Sequence, residues 1–200
     1  MEGSLFFIDT IFKVPGIGIV LSGTLKGLNI KTGQKLWLGP VGGKFIEIRV
    51  RSLHNSMRED VKEIYDGENS CIAIKFSNPK EALDRNQIRK GMLIISNLEK
   101  YKRNVTWSFS AQVKILHHST TINTGYMPVL HCGPIRQSAK LHLIDQEEAE
   151  NSKKNRPLRT GDMQKVKFKF GFHPEFIEPG STFFFRDGTT KGVGKIVDIL

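Results

Sequence analysis

Two glycine–lysine strings come nearest to phosphate chemistry. They are Gly39-Pro40-Val41-Gly42-Gly43-Lys44-Phe45 and Gly192-Val193-Gly194-Lys195-Ile196. A phosphate loop needs four residues between its first Gly and the Gly-Lys pair, then a Ser or Thr for a magnesium ion. The first string is one residue short and ends on Phe45; the second ends on Ile196. Both read as turns between strands, with glycine supplying positive φ. His117, His118, His131 and Cys132 make a set that could hold a metal or activate a thiol. Zinc ligands usually arrive in paired short spacings. Neighbours on a strand point to opposite faces, so His131 and Cys132 do not readily share a metal or act as base and nucleophile. The expected reading is a buried thiol beside a hydrogen-bonded imidazole, with no catalytic residue and no metal site. A hydrolase built on Cys132 is a distant third possibility.

The elements that carry these residues have a period of two. In the stretch Val105, Trp107, Phe109, Ala111, Val113, Ile115 every odd position is apolar and the even ones are polar, which describes a strand with one wet face. Val166, Phe168 and Phe170 repeat the pattern, with Lys165, Lys167 and Lys169 on the outer side, and Ile46, Ile48 and Val50 do so again. Further short runs begin at Phe6, Ile17, Lys35, Ser70, Met92, Val129, Ala139, Phe183 and Lys195. Turn signals such as Pro15-Gly16, Thr32-Gly33, Asp66-Gly67 and Asp187-Gly188 separate them. Many short strands at even spacing predict an all-β chain of sandwich or barrel type. A helical turn or two is expected only between Lys80 and Arg89, before Gly91. A polar connector, Asn97 to Asn104, divides the chain into units expected at residues 1–98 and 104–200. Asp145 to Arg159 reads as a long hairpin loop.

The chain has 200 residues and a formal net charge of +10, which favours polyanionic partners whatever their sequence. Nothing approaches the ~20 consecutive apolar residues of a membrane helix. An acidic start leading straight into a strand-like run predicts no secretory leader. Two distant cysteines, Cys71 and Cys132, in apolar runs imply a reducing compartment and buried thiols. The expected location is the cytoplasm.

Longer strings carry a family resemblance. The first half contains Asp9-Thr10-Ile11-Phe12, then Gly16-Ile17-Gly18, Ser22-Gly23-Thr24, Gly67-Glu68-Asn69 and Ile88-Arg89-Lys90-Gly91-Met92. The second contains His117-His118-Ser119-Thr120-Thr121-Ile122, His131-Cys132-Gly133-Pro134-Ile135-Arg136-Gln137-Ser138-Ala139, Phe185-Arg186-Asp187-Gly188 and Lys191-Gly192-Val193-Gly194. In this order they resemble the second and third domains of Tu-like translational GTPases, in the branch called GTPBP type. The resemblance implies two consecutive β-barrels, as in domains two and three of elongation factor Tu. It implies the C-terminal, tRNA- and ribosome-binding portion of a GTP-binding elongation factor-like protein. GTP and magnesium would then sit in a GTP-binding domain absent here, so this chain is not itself an enzyme although its parent is a GTPase. The implied partners are aminoacyl-tRNA, the ribosome and the chain's own GTP-binding domain, with no membrane.

Carried over by residue, Asp9, Phe12 and Asn69 would form the pocket for the aminoacylated 3′ end, and Arg136, Arg186 and Lys191 would meet the tRNA stem. Arg51 stands where the Tu pattern has a pocket-lining acid. Thr189 and Thr190 stand where that pattern often has an arginine. From alternation alone, Phe12 reads equally as a core aromatic in phase with Ile8 and Val14, and Arg186 as a partner for Asp187. The alternative function is a protein-interaction module that docks the GTP-binding domain or another factor without touching RNA.

Overall fold

A computed structural model describes residues 3–144 and 156–200. The larger part of the expected hairpin loop, 145–155, lies outside the described residues. The chain folds as two compact units, Met1–Val105 and Thr106–Leu200.

The first unit is built from β1 (Ser4–Val14), β2 (Gly18–Gly27), β3 (Lys35–Val41), β4 (Lys44–His54), β5 (Asn69–Phe76) and β6 (Leu93–Ile95). They pair in the order β3–β6–β1–β2–β5–β4, and β4 returns to β3 through Lys35↔Arg49 to Leu38↔Ile46, so the ring closes. Closure removes open edges and encloses one dry interior. Alternate side chains fill it: Phe6 and Ile8, Leu21 and Leu25, Leu36 and Leu38, Ile48 and Val50, Ile72 and Ile74. Gly23 belongs to this close packing. A Cβ there would run into the Phe7 carbonyl oxygen and come within 3.0 Å of the Phe6 ring.

The second unit closes in the same way. Its strands are β7 (Ser108–His117), β8 (Val129–Cys132), β9 (Ile135–Leu143), β10 (Met163–Phe170), β11 (Thr182–Asp187) and β12 (Thr190–Ile199). They form a closed barrel in the order β7–β10–β9–β8–β11–β12. Phe109, Phe168, Phe183 and Phe185 meet at its centre, with Phe109–Phe183 and Phe168–Phe183 edge to face at 5.7 and 5.6 Å. The all-β, two-barrel expectation therefore holds.

One local expectation holds and three change. Lys80 to Arg89 forms two separate 3₁₀ turns, Pro79–Glu81 and Arg85–Gln87, because Ala82 and Ile88 are extended (ψ 131° and 130°) and interrupt any longer helix. The connector also holds an α-helical turn, α1 (Leu98–Tyr101): the Asn97 side chain caps it by accepting from Lys100 N at 3.0 Å, and Tyr101 is buried. Trp107 breaks the alternation of its stretch. The strand is interrupted there and the indole is exposed. Finally, only the first glycine string is a turn, with Gly42 and Gly43 at φ 56° and 87°. Gly192 and Gly194 lie inside β12 and face inward. A Cβ at Gly192 would enter the Phe185 ring, and one at Gly194 would enter the Phe183 ring. These glycines make room for two phenylalanines, not for a phosphate.

Candidate functional site

On the first barrel, the site begins with a miscount between two strands. Ile8 pairs with Gly23 but Thr10 pairs with Ser22, so Asp9 is an extra residue and β1 bulges. The bulge shifts the inward phase by one. Ile8 is in the core, Ile11 packs against it, and Phe12 turns outward with 46% of its surface exposed. Phe12 is thus not the core aromatic that simple alternation offers. Its cross-strand neighbours Val20 and Ala73 are short, and a hollow of about 540 Å³ opens beside the ring. Asn69, His54, Arg58 and Ser70 also line it. The structure brings Phe12 and Asn69 together here and leaves Asp9 out. Asp9 sits at the bulge, exposed, with Lys90 Nζ at 4.0 Å.

Three features of this hollow had no sequence signal. Ser70 is 2% exposed, and its Oγ finds no hydrogen-bond partner among the described residues. It stands opposite Gly23 and in phase with the inward Ile72 and Ile74, so the hydroxyl faces the barrel interior and only the rest of the residue borders the hollow. Arg58 has φ 66°, a left-handed conformation uncommon for a non-glycine residue. Asn55 fixes that loop: its Oδ1 accepts from the backbone N–H groups of Met57 and Glu59, both at 3.0 Å. Cys71 lines the same hollow and is half-buried, as is Cys132, so neither thiol is fully enclosed as expected. Arg51 faces a different hollow, where its Nη1 donates to Ile17 O at 2.6 Å.

On the second barrel the register sets out two parallel rows of outward residues. One runs Arg136↔His131↔Phe184↔Val193↔Lys114↔Met163 across the strands. The next runs Ser138↔Val129↔Arg186↔Lys191↔His117. Arg186 and Lys191 are therefore cross-strand neighbours, whereas Arg136 on β9 lies two strands from Arg186 and three from Lys191, on the far side of the six-stranded ring. No ion pair among the described residues uses any of the three, so Arg186 is not the partner of Asp187. The His131 ring stacks on Phe184 with centroids 4.5 Å apart and planes 5° off parallel. Burial against that ring lowers the His131 pKa, and the guanidinium groups of Arg136 and Arg186 lower it further.

A second basic patch lies on β9 and β10, where Lys140 is opposite Lys169 and His142 is opposite Lys167. Burial, then Lys140, Lys167 and Lys169, depresses the His142 pKa. Like charges directly opposite one another disfavour folding. Lys140 and His142 were legible only through the alternation of Ala139 to Leu143.

The remaining chemical-looking residues hold the barrel together. His118 Nδ1 shares a 2.7 Å hydrogen bond with Thr190 Oγ1, and Thr160 Oγ1 donates to His118 O at 3.0 Å. Thr190 is buried in this latch. Gln137 is buried and ties down the next loop, accepting from Phe172 N and His173 N at 3.2 Å. Cys132 packs on the core side of β8, its Sγ donating to Thr182 O at 3.7 Å, and burial pushes the thiol pKa up to about 11. A protonated thiol is a poor nucleophile. Among the described residues, no three His, Cys, Asp or Glu side chains come together to hold a metal, and no helix is long and apolar enough to cross a membrane.

Two closed six-stranded barrels in succession, the second with a cationic outer face, have the architecture of domains two and three of the Tu type. Residues 103–200 match the family model described as the elongation factor Tu C-terminal domain, and the second barrel belongs to that family. The whole chain is similar to GTP-binding protein 1 of Xenopus laevis, 38% identical over 201 residues that cover 100% of this chain and 28% of that protein. It is 32% identical to GTP-binding protein 2 of Homo sapiens over 195 residues, 97% of this chain and 30% of that protein. Elongation factor 1-alpha of Sulfolobus acidocaldarius is 28% identical over 204 residues, 96% of this chain and 44% of its own length. The chain thus spans less than half the length of each of these relatives. Its relationship is to GTP-binding translation factors, over a part of each.

Proposed function

We propose that this chain is the tRNA- and ribosome-binding portion of a GTP-binding, elongation factor-like protein. In this reading the hollow beside Phe12 takes the aminoacylated 3′ end of tRNA. An unpaired terminal base suits an exposed aromatic wall, Asn69 supplies hydrogen bonds, and Arg58 faces phosphate. Arg136, Arg186 and Lys191 meet the phosphates of the stem. GTP and magnesium are held by a GTP-binding domain elsewhere in the parent polypeptide, which also docks on these barrels and hydrolyses GTP in the cytoplasm. The observation that carries the reading is the bulge at Asp9, which turns Phe12 out of the core and beside Asn69.

The test is a fluorescence titration of this chain with aminoacylated and deacylated tRNA at several salt concentrations. The aminoacylated form binds more tightly, and log K falls linearly with log salt as phosphate contacts require. Phe12→Ala lowers affinity by about tenfold, the contribution of one stacked base. Equal affinity for both tRNAs, or an unchanged F12A, refutes the pocket. GTP added to this chain alone binds nowhere. The exposed apolar side chains of Met163, Phe184 and Val193 favour a second reading, in which the second barrel mainly docks a protein.

A further inference from the structure

The strongest feature that the tRNA reading leaves unused is the apolar stretch between the cations of the second barrel. Phe184 is 47% exposed and Val193 is 40% exposed. Phe184 has His131 on one side in the register and Val193 on the other. The stacked imidazole covers one face of the ring and holds it upright; the other face looks over the short Val193 toward Lys114. Phe184 and Lys114 stand two strands apart around the barrel, with Val193 between them. A hollow of about 700 Å³ occupies this place, bounded further by Met163 and Lys195.

We infer that this slot binds one unpaired nucleotide of an RNA strand. Its base stacks on the free face of Phe184 above Val193, and its flanking phosphates lie against Lys114, Lys191, Lys195 and Arg186. The inference rests on the RNA-binding reading and adds to it a single-stranded site distinct from stem contact. Charge selects the occupant. The rows on either side, Ser138↔Val129↔Arg186↔Lys191↔His117 and Thr182↔Lys195↔Gln112↔Lys165, carry no carboxylate and four cations, of which Lys165 is held by Asp198 at 3.2 Å and Arg186, Lys191 and Lys195 are in no ion pair among the described residues. An RNA strand presents one anion and one flat ring per residue, at the spacing of such a platform. A duplex hides its base faces and offers no ring to the slot. A protein segment would have to bring several carboxylates together with an aromatic side chain.

The experiment measures fluorescence anisotropy of this chain with a short oligoadenylate, the same strand with abasic residues, and a duplex RNA. Oligoadenylate binds roughly tenfold more tightly than the abasic strand, as one stacked base provides. Phe184→Ala and Val193→Phe, one removing the wall and the other filling the slot, each bring oligoadenylate down to the abasic level and leave the duplex unchanged. Phe184→Ala removes an exposed ring, and an unaltered thermal melt confirms that it folds. Equal binding of oligoadenylate and abasic strands, or an F184A that binds like the parent, overturns the slot while the RNA reading stands. Failure of all three RNAs to bind overturns both. Loss in F184A of binding to a separately produced GTP-binding domain, with oligoadenylate affinity intact, assigns the face to protein docking and overturns the inference.

Discussion

Replacing Gly192 by alanine separates the two readings of the Gly192-Val193-Gly194-Lys195 string. In an unstrained strand with open space, Gly→Ala stabilises by about 0.4–1 kcal/mol because it restricts the unfolded chain. Gly192 has no such space. The new Cβ would stand 2.6 Å from Cε2 of Phe185 and closer still to Cζ and Cε1, where ordinary contact begins at 3.4 Å. The Phe185 ring is fully buried, with Phe168 and Phe183 centroids at 6.0 and 6.5 Å. It has nowhere to retreat, and overpacking of this kind costs about 1–3 kcal/mol. The clash outweighs the chain-entropy gain, and the net loss is about 1–2 kcal/mol. For a unit of this size that lowers Tm by roughly 4–16 °C. Calorimetry reads the loss directly, and the companion variant Phe185→Leu tests its cause. In the double variant G192A/F185L the smaller side chain vacates the collision, so the two losses are less than additive by about 1 kcal/mol. A G192A that melts at or above the parent's temperature refutes the packing argument. Nucleotide binding that disappears in a still-folded G192A would restore the phosphate-loop reading.

Three further outcomes follow from the sites. Ser70→Ala leaves stability unchanged or slightly raised, because the lost hydroxyl makes no hydrogen bond among the described residues; a marked loss in Tm would mean the hydroxyl is satisfied internally. Cys132 resists thiol reagents in the native state near neutral pH, and its folded pKa of about 11 lies above the ordinary 9.0, so stability falls as pH rises from about 9 toward 11. Chemical denaturation across that range, with Cys132→Ala as the flat control in a Cys71→Ser background, checks it. His131 titrates below the ordinary 6.5, so the stability it contributes is present above that pH and is lost as pH falls. NMR titration locates the midpoint; Arg136→Gln moves it only part of the way back, since burial is the larger cause, and a full return would reverse that ranking.

The barrels were legible because their cores are written in alternation. Phe109, Ala111, Val113 and Ile115 point inward as their spacing requires, and the turn glycines fall between strands. Alternation fails where the count slips. Nothing in Asp9-Thr10-Ile11-Phe12 announces a bulge, since a bulge is fixed by the partner strand's register and not by local preference. Trp107 looked inward because no local signal marks the break before Ser108. The Lys80–Arg89 stretch has helix-forming residues, but Asn78 and Asp84 each start a short turn that Ala82 and Ile88 then end. The cations of the second barrel were visible as motif positions, whereas the His131–Phe184 stack pairs residues far apart in sequence. Such cross-strand neighbours cannot be read without the register.

The bulge at Asp9 takes up one residue that has no partner on β2, and the pairs beyond it, Thr10↔Ser22 to Phe12↔Val20, stay in register. Deleting Asp9 would therefore leave a regular strand with Ile11 still inward and Phe12 still outward. During divergence this segment should tolerate the loss of that one codon as readily as its replacement. A second loss, with no spare residue left to absorb it, would drive Phe12 toward the interior and present the opposite surface to whatever the barrel binds.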